Sequence, residues 1–476
     1  LADSKIITEN TFLAAFYMKF GFRSEMQFLF LLGVVTFFIL GFSTLVKVLT
    51  TFYQLRFVLH LESSLGSRLI SLYLYQDYLW LTAQHSAELG KNILSEIAGV
   101  IANSVMPTTV LIAQSSITLA IVSFILFVDP FLAFVILIGL GSIYTAIYLY
   151  FKNYLKQLGN ERLIRNEERY RIATEAFHAV KEIKFFQLER AYSKRFSSAA
   201  SHYARLQVAA QTTSQIPRFI IELFAFGGLI LTILVLIYQN YNLSTILPII
   251  TLYAISGYRL LPALQQLYNS ATLLRYSSSA TKKIVGQLTN LDYEVADQIE
   301  QHEIVFKNYL GVSNINFRYP NSKSGALQSI SFKISKGQRI GIVGHSGSGK
   351  TTLMDILLGL LNPSSGEIIV DEKKLSFEDI KAFQRTIGYV PQNVYLSDNS
   401  ISENIAMRDL NIGVDLKKVK EVALTAHVHN VVIDRFGGDY DSVIGERGSQ
   451  LSGGECQRIG IARALYQSPS ILILDE

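Results

Sequence analysis

Long apolar runs dominate the first half of the chain, and their lengths set its reading. Residues 26–49 are almost wholly apolar, broken by small polar side chains and Lys47, and a run of about 20 such residues crosses a bilayer as one helix. Residues 107–128 and 131–151 give a second and third span, split by Asp129-Pro130. Proline disfavours helical geometry in the residue before it, so this pair predicts a tight turn. Residues 219–238 and 244–262, separated by Gln239-Asn240-Tyr241-Asn242, give a fourth and fifth span. Upstream, Phe12, Phe16 and Phe20 recur one helical turn apart beside Leu13 and Tyr17. That face belongs to a helix too short to span, resting in the membrane interface or against the first span. Gly139, Gly141, Gly227 and Gly228 predict close helix contacts within the spans. Between the spans, residues 52–104 and 152–218 keep a helical period but turn polar, so the helices continue beyond the bilayer.

Composition agrees with membrane spans rather than one oversized core: half of the 476 residues are hydrophobic and 17% are charged. The net charge of +5 does not predict a nucleic-acid partner, because the basic residues crowd one stretch. Lys152, Arg162, Arg165, Arg169, Arg190 and Arg205 fall within 152–218, whereas the turns at 129–130 and 239–242 have no Lys or Arg. The positive-inside rule therefore puts 52–104 and 152–218 in the cytoplasm. Counting back through five spans places residues 1–25 outside, so a further span is expected before Leu1. Two charges stand close to spans, Glu222 early in the fourth and Arg259 late in the fifth. Charges at that depth pair, snorkel or meet a polar cargo, so Glu222 and Arg259 form a mutual salt bridge or a contact for an anionic head group. The lone Cys456 cannot make an internal disulfide and reads as a tolerated helix residue.

The second half carries the chemistry. Gly344-His345-Ser346-Gly347-Ser348-Gly349-Lys350-Thr351-Thr352 follows the apolar run Arg339-Ile340-Gly341-Ile342-Val343 and precedes helix-like Leu353-Met354-Asp355-Ile356-Leu357-Leu358. The pattern G-x-x-x-x-G-K-[ST] between a strand and a helix is a phosphate-binding loop. Gly347 and Gly349 allow the tight turn that lets backbone N–H groups converge on phosphates. Lys350 adds positive charge on the terminal oxygens, the Thr351 hydroxyl suits Mg²⁺, and the helix N-terminus adds its positive dipole end. Downstream, Leu451-Ser452-Gly453-Gly454-Glu455 precedes the apolar strand Ile471-Leu472-Ile473-Leu474, which ends on Asp475 and Glu476.

With these three motifs in this order the chain resembles the ATP-binding cassette (ABC) superfamily. The resemblance implies an α-helical transmembrane domain of the type IV exporter kind, residues 1–281. A linker, 282–302, would lead to an α/β P-loop ATP-binding cassette domain, 303–476, and further strands would be needed after Glu476. It implies six spans per subunit, with short coupling helices near Tyr75–Gln84 and Glu175–Lys184 touching the ATPase domain. Tyr319 matches the aromatic residue that stacks on adenine, a core tyrosine being the alternative, and Gln392 after Tyr389-Val390-Pro391 matches the Q-loop, near Mg²⁺ and the attacking water. Gly344, Ser346, Gly347, Ser348, Gly349, Lys350, Thr351 and Thr352 would cradle ATP. Ser452, Gly453 and Gly454 would complete the ATP site of a second copy, so a homodimer is implied. Glu455 replaces the family's usual Gln. Asp475 would hold Mg²⁺ and Glu476 would act on the attacking water. Glu446-Arg447 before the signature favours an exporter.

The expected activity is ATP hydrolysis coupled to transport in the cytoplasmic (inner) membrane, with the ATPase domain in the cytoplasm. Ile216-Pro217-Arg218 and Tyr258-Arg259-Leu260-Leu261-Pro262 are similar to segments of bacterial flippases for lipid-linked oligosaccharides, in which a pyrophosphate head group would meet Arg259. Membrane lipids and an amphipathic or lipid-linked cargo are then the partners, and nucleic acid is not. A multidrug, lipid or peptide exporter shares every ATPase motif. An ATP-gated channel or a non-transporting membrane ATPase would need degenerate motifs or a continuous pore.

Overall fold

The structure, a computed structural model, describes residues 17, 24–128, 130–238, 243–291, 304–320, 322, 324–376, 378–408, 413–445 and 448–475. Inside some helices the side chains, that of Arg259 among them, are outside the description. So are Asp129, the 239–242 turn, Glu446, Arg447, Glu476 and, Tyr17 apart, residues 11–22. The chain divides into two compact units, one drawn from Leu1–Gln76 and Gln84–Tyr293, the other from Asp77–Ala83 and Glu294–Glu476.

The first unit is helical. Helix α1 (Glu25–Leu74) is capped by Ser24, whose hydroxyl accepts from the Gln27 N–H. Tyr17 lies edge-on to Phe28 with ring centroids 5.5 Å apart. After α2 (Tyr78–Thr82), which belongs to the other unit, come α3 (Ser86–Lys91), α4 (Ile97–Val100) and α5 (Met106–Val128). Two π-helical turns, Asn92–Glu96 and Ile101–Val105, join them into a nearly continuous rod. Helices α6 (Pro130–His178), α8 (Glu189–Tyr238) and α9 (Leu243–Asn290) follow, with short α7 (Val180–Phe185) between α6 and α8. Among the described residues, the helices over Met26–Leu74 and Ser86–Phe127 are long and apolar enough to cross a membrane. The runs 131–151, 219–238 and 244–262 lie inside α6, α8 and α9.

Polar side chains meet where the helices pack outside the apolar runs. Arg162 donates to Glu96 at 3.0 Å and both are almost fully buried, while Asn166 donates to the other Glu96 oxygen at 2.8 Å. Lys91, fully buried, bonds Glu167 at 2.9 Å, and Lys283 bonds Glu88 at 2.6 Å. Ser104 lies 2.5 Å from Ser277 and 2.7 Å from Thr281. Each π turn thus supplies a buried polar residue, Glu96 or Ser104, that faces another helix; such turns often mark special positions. Arg218, one turn earlier, donates to Glu222 at 2.7 Å, and a pairing of Glu222 with Arg259 lies outside the described side chains.

The second unit is α/β. Strands β1 (Tyr309–Phe317), β2 (Leu327–Ser335), β3 (Ser365–Val370) and β4 (Lys373–Lys374) form an antiparallel sheet in the order β2-β1-β3-β4. Leu310, Val312, Ile315 and Phe317 on β1 bury against Leu353, Ile356 and Leu357 of α10 (Lys350–Leu357). After α11 (Ile380–Gln384), strand β5 (Ile387–Val390) pairs in parallel with β6 (Ile471–Leu474). Helices α12 (Ile401–Ala406), α13 (Leu416–Thr425), α14 (His429–Phe436) and α15 (Gly453–Tyr466) enclose a second core around Val419, Ala423, Ile459 and Ala462.

Two expectations are corrected. The run Arg339–Val343 forms no strand, and Val343 is 92% exposed. Its apolar character predicts a ladder, but a strand needs a partner edge, and β6 pairs with β5 alone. The segment 282–302 is not linker throughout, because α9 continues to Asn290, where buried Ile284 and the Tyr73–Gln287 hydrogen bond of 2.9 Å keep it packed.

One helix crossing leaves no space for a side chain. A Cβ on Gly159 of α6 would lie 1.9 Å from the Tyr276 carbonyl oxygen of α9, whereas one on Gly66 or Gly90 would meet nothing within 4 Å. Gly159→Ala should therefore destabilise the helical unit by about 1–3 kcal/mol, the usual cost of overpacking. Gly66→Ala should be neutral or slightly stabilising. Thermal unfolding of both variants in detergent checks this; equal melting temperatures would remove the α6–α9 contact from the account.

Candidate nucleotide site

The phosphate loop runs from Gly344 to Lys350, and the backbone dictates where it needs glycine. Gly347 has φ +80 and Gly349 φ +91, the left-handed region in which a side chain is strained. Gly349 also has no room, since a Cβ there would lie 2.6 Å from the Ala326 carbonyl oxygen and 2.8 Å from Leu327. Gly344 is crowded too, its Cβ position lying 2.6 Å from Ser348 Oγ. From Gly349, α10 starts with Lys350 and buries Thr352, Leu353 and Met354, so its N-terminus is fixed by the core behind it. The ammonium of Lys350 donates to the carbonyl oxygens of Gly344 at 2.9 Å and His345 at 3.0 Å. It therefore lies across the loop mouth, where a phosphate oxygen would replace those acceptors. Ser346 and Ser348 are exposed on the same loop, and Thr351 on the first turn behind it.

Tyr319 is fastened to this helix. Its hydroxyl lies 3.1 Å from Thr352 Oγ1, and its ring meets Phe317 edge-on with centroids 4.9 Å apart. The ring is half-buried against the β1 core, so it serves the packing whatever else it touches. The parallel β5–β6 register, Val390 opposite Leu474, brings Gln392 and Asp475 to the ends of neighbouring strands. The Asp475 N–H donates to the Val390 carbonyl at 3.0 Å.

Three residues that motif reading missed join Asp475. Burial, and then the Asp475 charge, raise the Asp355 carboxyl above the usual carboxylate range. Burial also raises the Tyr389 hydroxyl, with Asp475, Asp355 and Tyr78 adding to it. Tyr78 on α2 is raised by burial, then by Asp355 and Tyr319. Asp355 sits four residues after Thr351, one helical turn along α10, and that spacing was the signal available in the sequence. Asp355 and Asp475 lie in each other's field, and carboxylate oxygens are ligands that suit a hard divalent cation. Thr351, Gln392 and Asp475 are the residues that the motifs lead one to expect around Mg²⁺, and among the described residues no cluster of three or more His, Cys, Asp or Glu exists.

Ser452, Gly453 and Gly454 stand apart. Ser452 caps α15 in a reciprocal capping box with Glu455, and all three are exposed. None of the described hydrogen bonds of this turn reaches 344–352; they go to its own helix and to Glu455. Arg435 of α14 in turn bonds Glu455 at 2.7 Å. A Cβ on Gly453 or Gly454 would meet nothing within 4 Å.

Comparison with known proteins adds context. Residues 10–260 match the family model for the ABC transporter transmembrane region, and 327–476 match that for the ABC transporter. The chain is 37% identical over 220 residues to ABC transporter B family member 29, chloroplastic, of Arabidopsis thaliana, 46% of this chain and 34% of that protein. It is 30% identical over 306 residues to the ATP-dependent lipid A-core flippase of Aromatoleum aromaticum, 64% of this chain and 50% of that protein. It is 41% identical over 170 residues to a leukotoxin translocation ATP-binding protein of Mannheimia haemolytica, 36% of this chain and 24% of that one. The chain thus spans half or less of the length of these relatives. A bacterial Atm1-family ABC exporter solved with ATP bound shares its fold, with TM-score 0.75, 22% identity and coverage of 88% of this chain and 74% of that one.

The raised Asp355 carboxyl has a pH signature. The folded state holds its proton more tightly than the unfolded chain, so its contribution to stability is fully present below the unfolded pKa and is lost as pH rises through the folded one. Asp355→Asn has no such term. The melting temperature of the parent should fall relative to that of the variant as pH rises above about 4, and a pH-independent difference would refute the burial of this carboxyl.

Proposed function

The chain belongs to the ABC transporters, with the family's transmembrane region and ATP-binding cassette on one polypeptide, and on that premise we propose an ATP-driven exporter half-transporter working as a homodimer. The observation that carries this reading is the signature turn. Gly453 and Gly454 are exposed, have no left-handed φ and would meet nothing of their own chain if given side chains. Their smallness therefore serves something that arrives from outside, and helix N-terminal N–H groups favour a phosphate. The ATP held on the phosphate loop of a second copy is that partner.

In this mechanism the residues divide the work. Backbone N–H groups between Gly344 and Lys350 bind the phosphates, and the Lys350 ammonium moves from its loop carbonyls to a terminal oxygen. Tyr319 borders the base. Mg²⁺, when bound at Thr351, Gln392 and Asp475, offsets the charge that builds on the phosphoryl oxygens. Glu476 orients or deprotonates the attacking water. Ser452, Gly453 and Gly454 close the site from the other copy. The short helix α2 couples this site to the membrane helices: Leu79 packs against the β1–α10 core and Tyr78 lies in the field of Asp355 and Tyr319. In α7 and just after it, Phe185 and Phe186 are 78% and 63% exposed, an apolar surface suited to the partner's cassette.

The cargo we propose is a lipid-linked oligosaccharide or similar amphipathic lipid, flipped across the cytoplasmic membrane with the ATPase domain in the cytoplasm. Arg259 is its proposed head-group contact. Glu222, which pairs with Arg218, is the second candidate for this contact. Support comes from the relative named as a lipid A-core flippase and from the apolar surface of α1, on which Phe37, Phe38 and Phe42 are exposed.

Lys350→Ala should abolish ATP hydrolysis and transport while leaving membrane insertion intact, measured as phosphate release and as flipping of a fluorescent polyprenyl-pyrophosphate glycan in liposomes. Undiminished hydrolysis would refute the assigned phosphate loop. Hydrolysis coupled to drug efflux, with no flipping, would instead replace the cargo.

A further inference from the structure

The signature of this chain ends in Glu455 where the resembling pattern has a neutral glutamine, and that puts a formal negative charge in the first turn of α15. Unanswered, the charge would oppose an incoming polyphosphate at the helix N-terminus. The structure answers it twice at the same oxygen. Glu455 Oε2 accepts from the Ser452 N–H at 2.6 Å and from Arg435 Nη1 at 2.7 Å. The Glu455 side chain is 14% exposed and that of Arg435, at the end of α14, 45%. The bond to the Ser452 N–H, with Arg435 and Arg458 adding to it, holds the carboxyl below the usual range, and it is ionised at neutral pH. Nothing else in the account uses Arg435.

We infer that Arg435 is a positioning residue for ATP use, cancelling the Glu455 charge so that the signature turn presents its N–H groups to a terminal phosphate without electrostatic opposition. This rests on the reading that the turn meets ATP held by a second copy. Glu455 then serves the turn geometrically through the capping box, and Arg435 serves it electrostatically. The pair restores the neutrality that glutamine provides by composition.

The test compares Arg435→Ala, Glu455→Gln and the double variant, purified and reconstituted in nanodiscs, by the ATP dependence of phosphate release. Arg435→Ala should raise KM for ATP about fivefold to tenfold with kcat within about twofold. That defect should shrink as salt rises from about 0.05 to 0.3 M, because a bare charge is screened. Glu455→Gln should have a KM no higher than the parent, since an amide oxygen still caps Ser452. The double variant should return to the KM of Glu455→Gln. A pair that merely held α14 to α15 would instead make Glu455→Gln as defective as Arg435→Ala and leave the double variant unrescued, and either result overturns the inference. So does an unchanged KM in Arg435→Ala. Lys350→Ala separates the two levels: if it keeps turnover, the underlying site reading fails, and if it loses turnover while the Arg435 set behaves like the parent, this inference fails alone.

Discussion

The second unit depends on one demand: a densely charged phosphate chain must be met by backbone N–H groups held in place before it arrives. A flexible loop would lose conformational freedom on binding and give up much of the gain. Here the loop is fixed from behind. At Gly349 the chain turns with φ +91 against the Ala326 carbonyl, and buried Thr352, Leu353, Met354, Ile356 and Leu357 seat α10 on the β1 core. The same helix anchors Tyr319 through Thr352 and places Asp355 beside Asp475. Hydrophobic packing, not the loop itself, therefore sets the geometry of the phosphate site.

The helical unit solves the opposite problem, keeping charge out of reach of water without leaving it unpaired. Arg162 and Glu96 are 4% and 1% exposed, and Lys91 is fully buried. Isolated charges so placed would be far too costly, and breaking one such pair typically costs about 3–5 kcal/mol. The partners come from different helices: α3 joins α6 through Lys91–Glu167, and α9 joins α3 through Lys283–Glu88. Pairs of this kind add little net stability but admit few alternative registers. The pairs thus tie α3, α6 and α9 to one another at fixed positions along their lengths.

Sequence reading went furthest where chemistry is local in the chain. The phosphate loop and the strands Ile387–Val390 and Ile471–Leu474 follow from runs of fewer than ten residues, whereas the short helices α2 and α7 fall in or across stretches that only the family resemblance singled out. It failed where the partner is distant. Nothing in the sequence around Lys91 marks it as buried, because its partner Glu167 lies 76 residues on. The 50-residue lengths of α1 and α8 were legible by contrast, because the helical period runs on past each apolar stretch into polar sequence. Arg339–Val343 looks like a strand by composition, but a ladder is a property of two segments.

Glycine shows why one kind of inference succeeds and another needs the fold. Gly349 and Gly453 are both small residues at a helix N-terminus, and motif matching treats them alike. The structure separates them: Gly349 is crowded by its own chain and has a left-handed φ, whereas Gly453 has an ordinary φ and open space. In the first case, folding alone requires the residue. In the second, neither backbone conformation nor the described packing within the chain requires it, and glycine gives up more conformational freedom on folding than any other residue. A residue that is costly to the fold and useless to its own core finds its reason in what approaches it, and at the N-terminus of α15 that approach favours an anion.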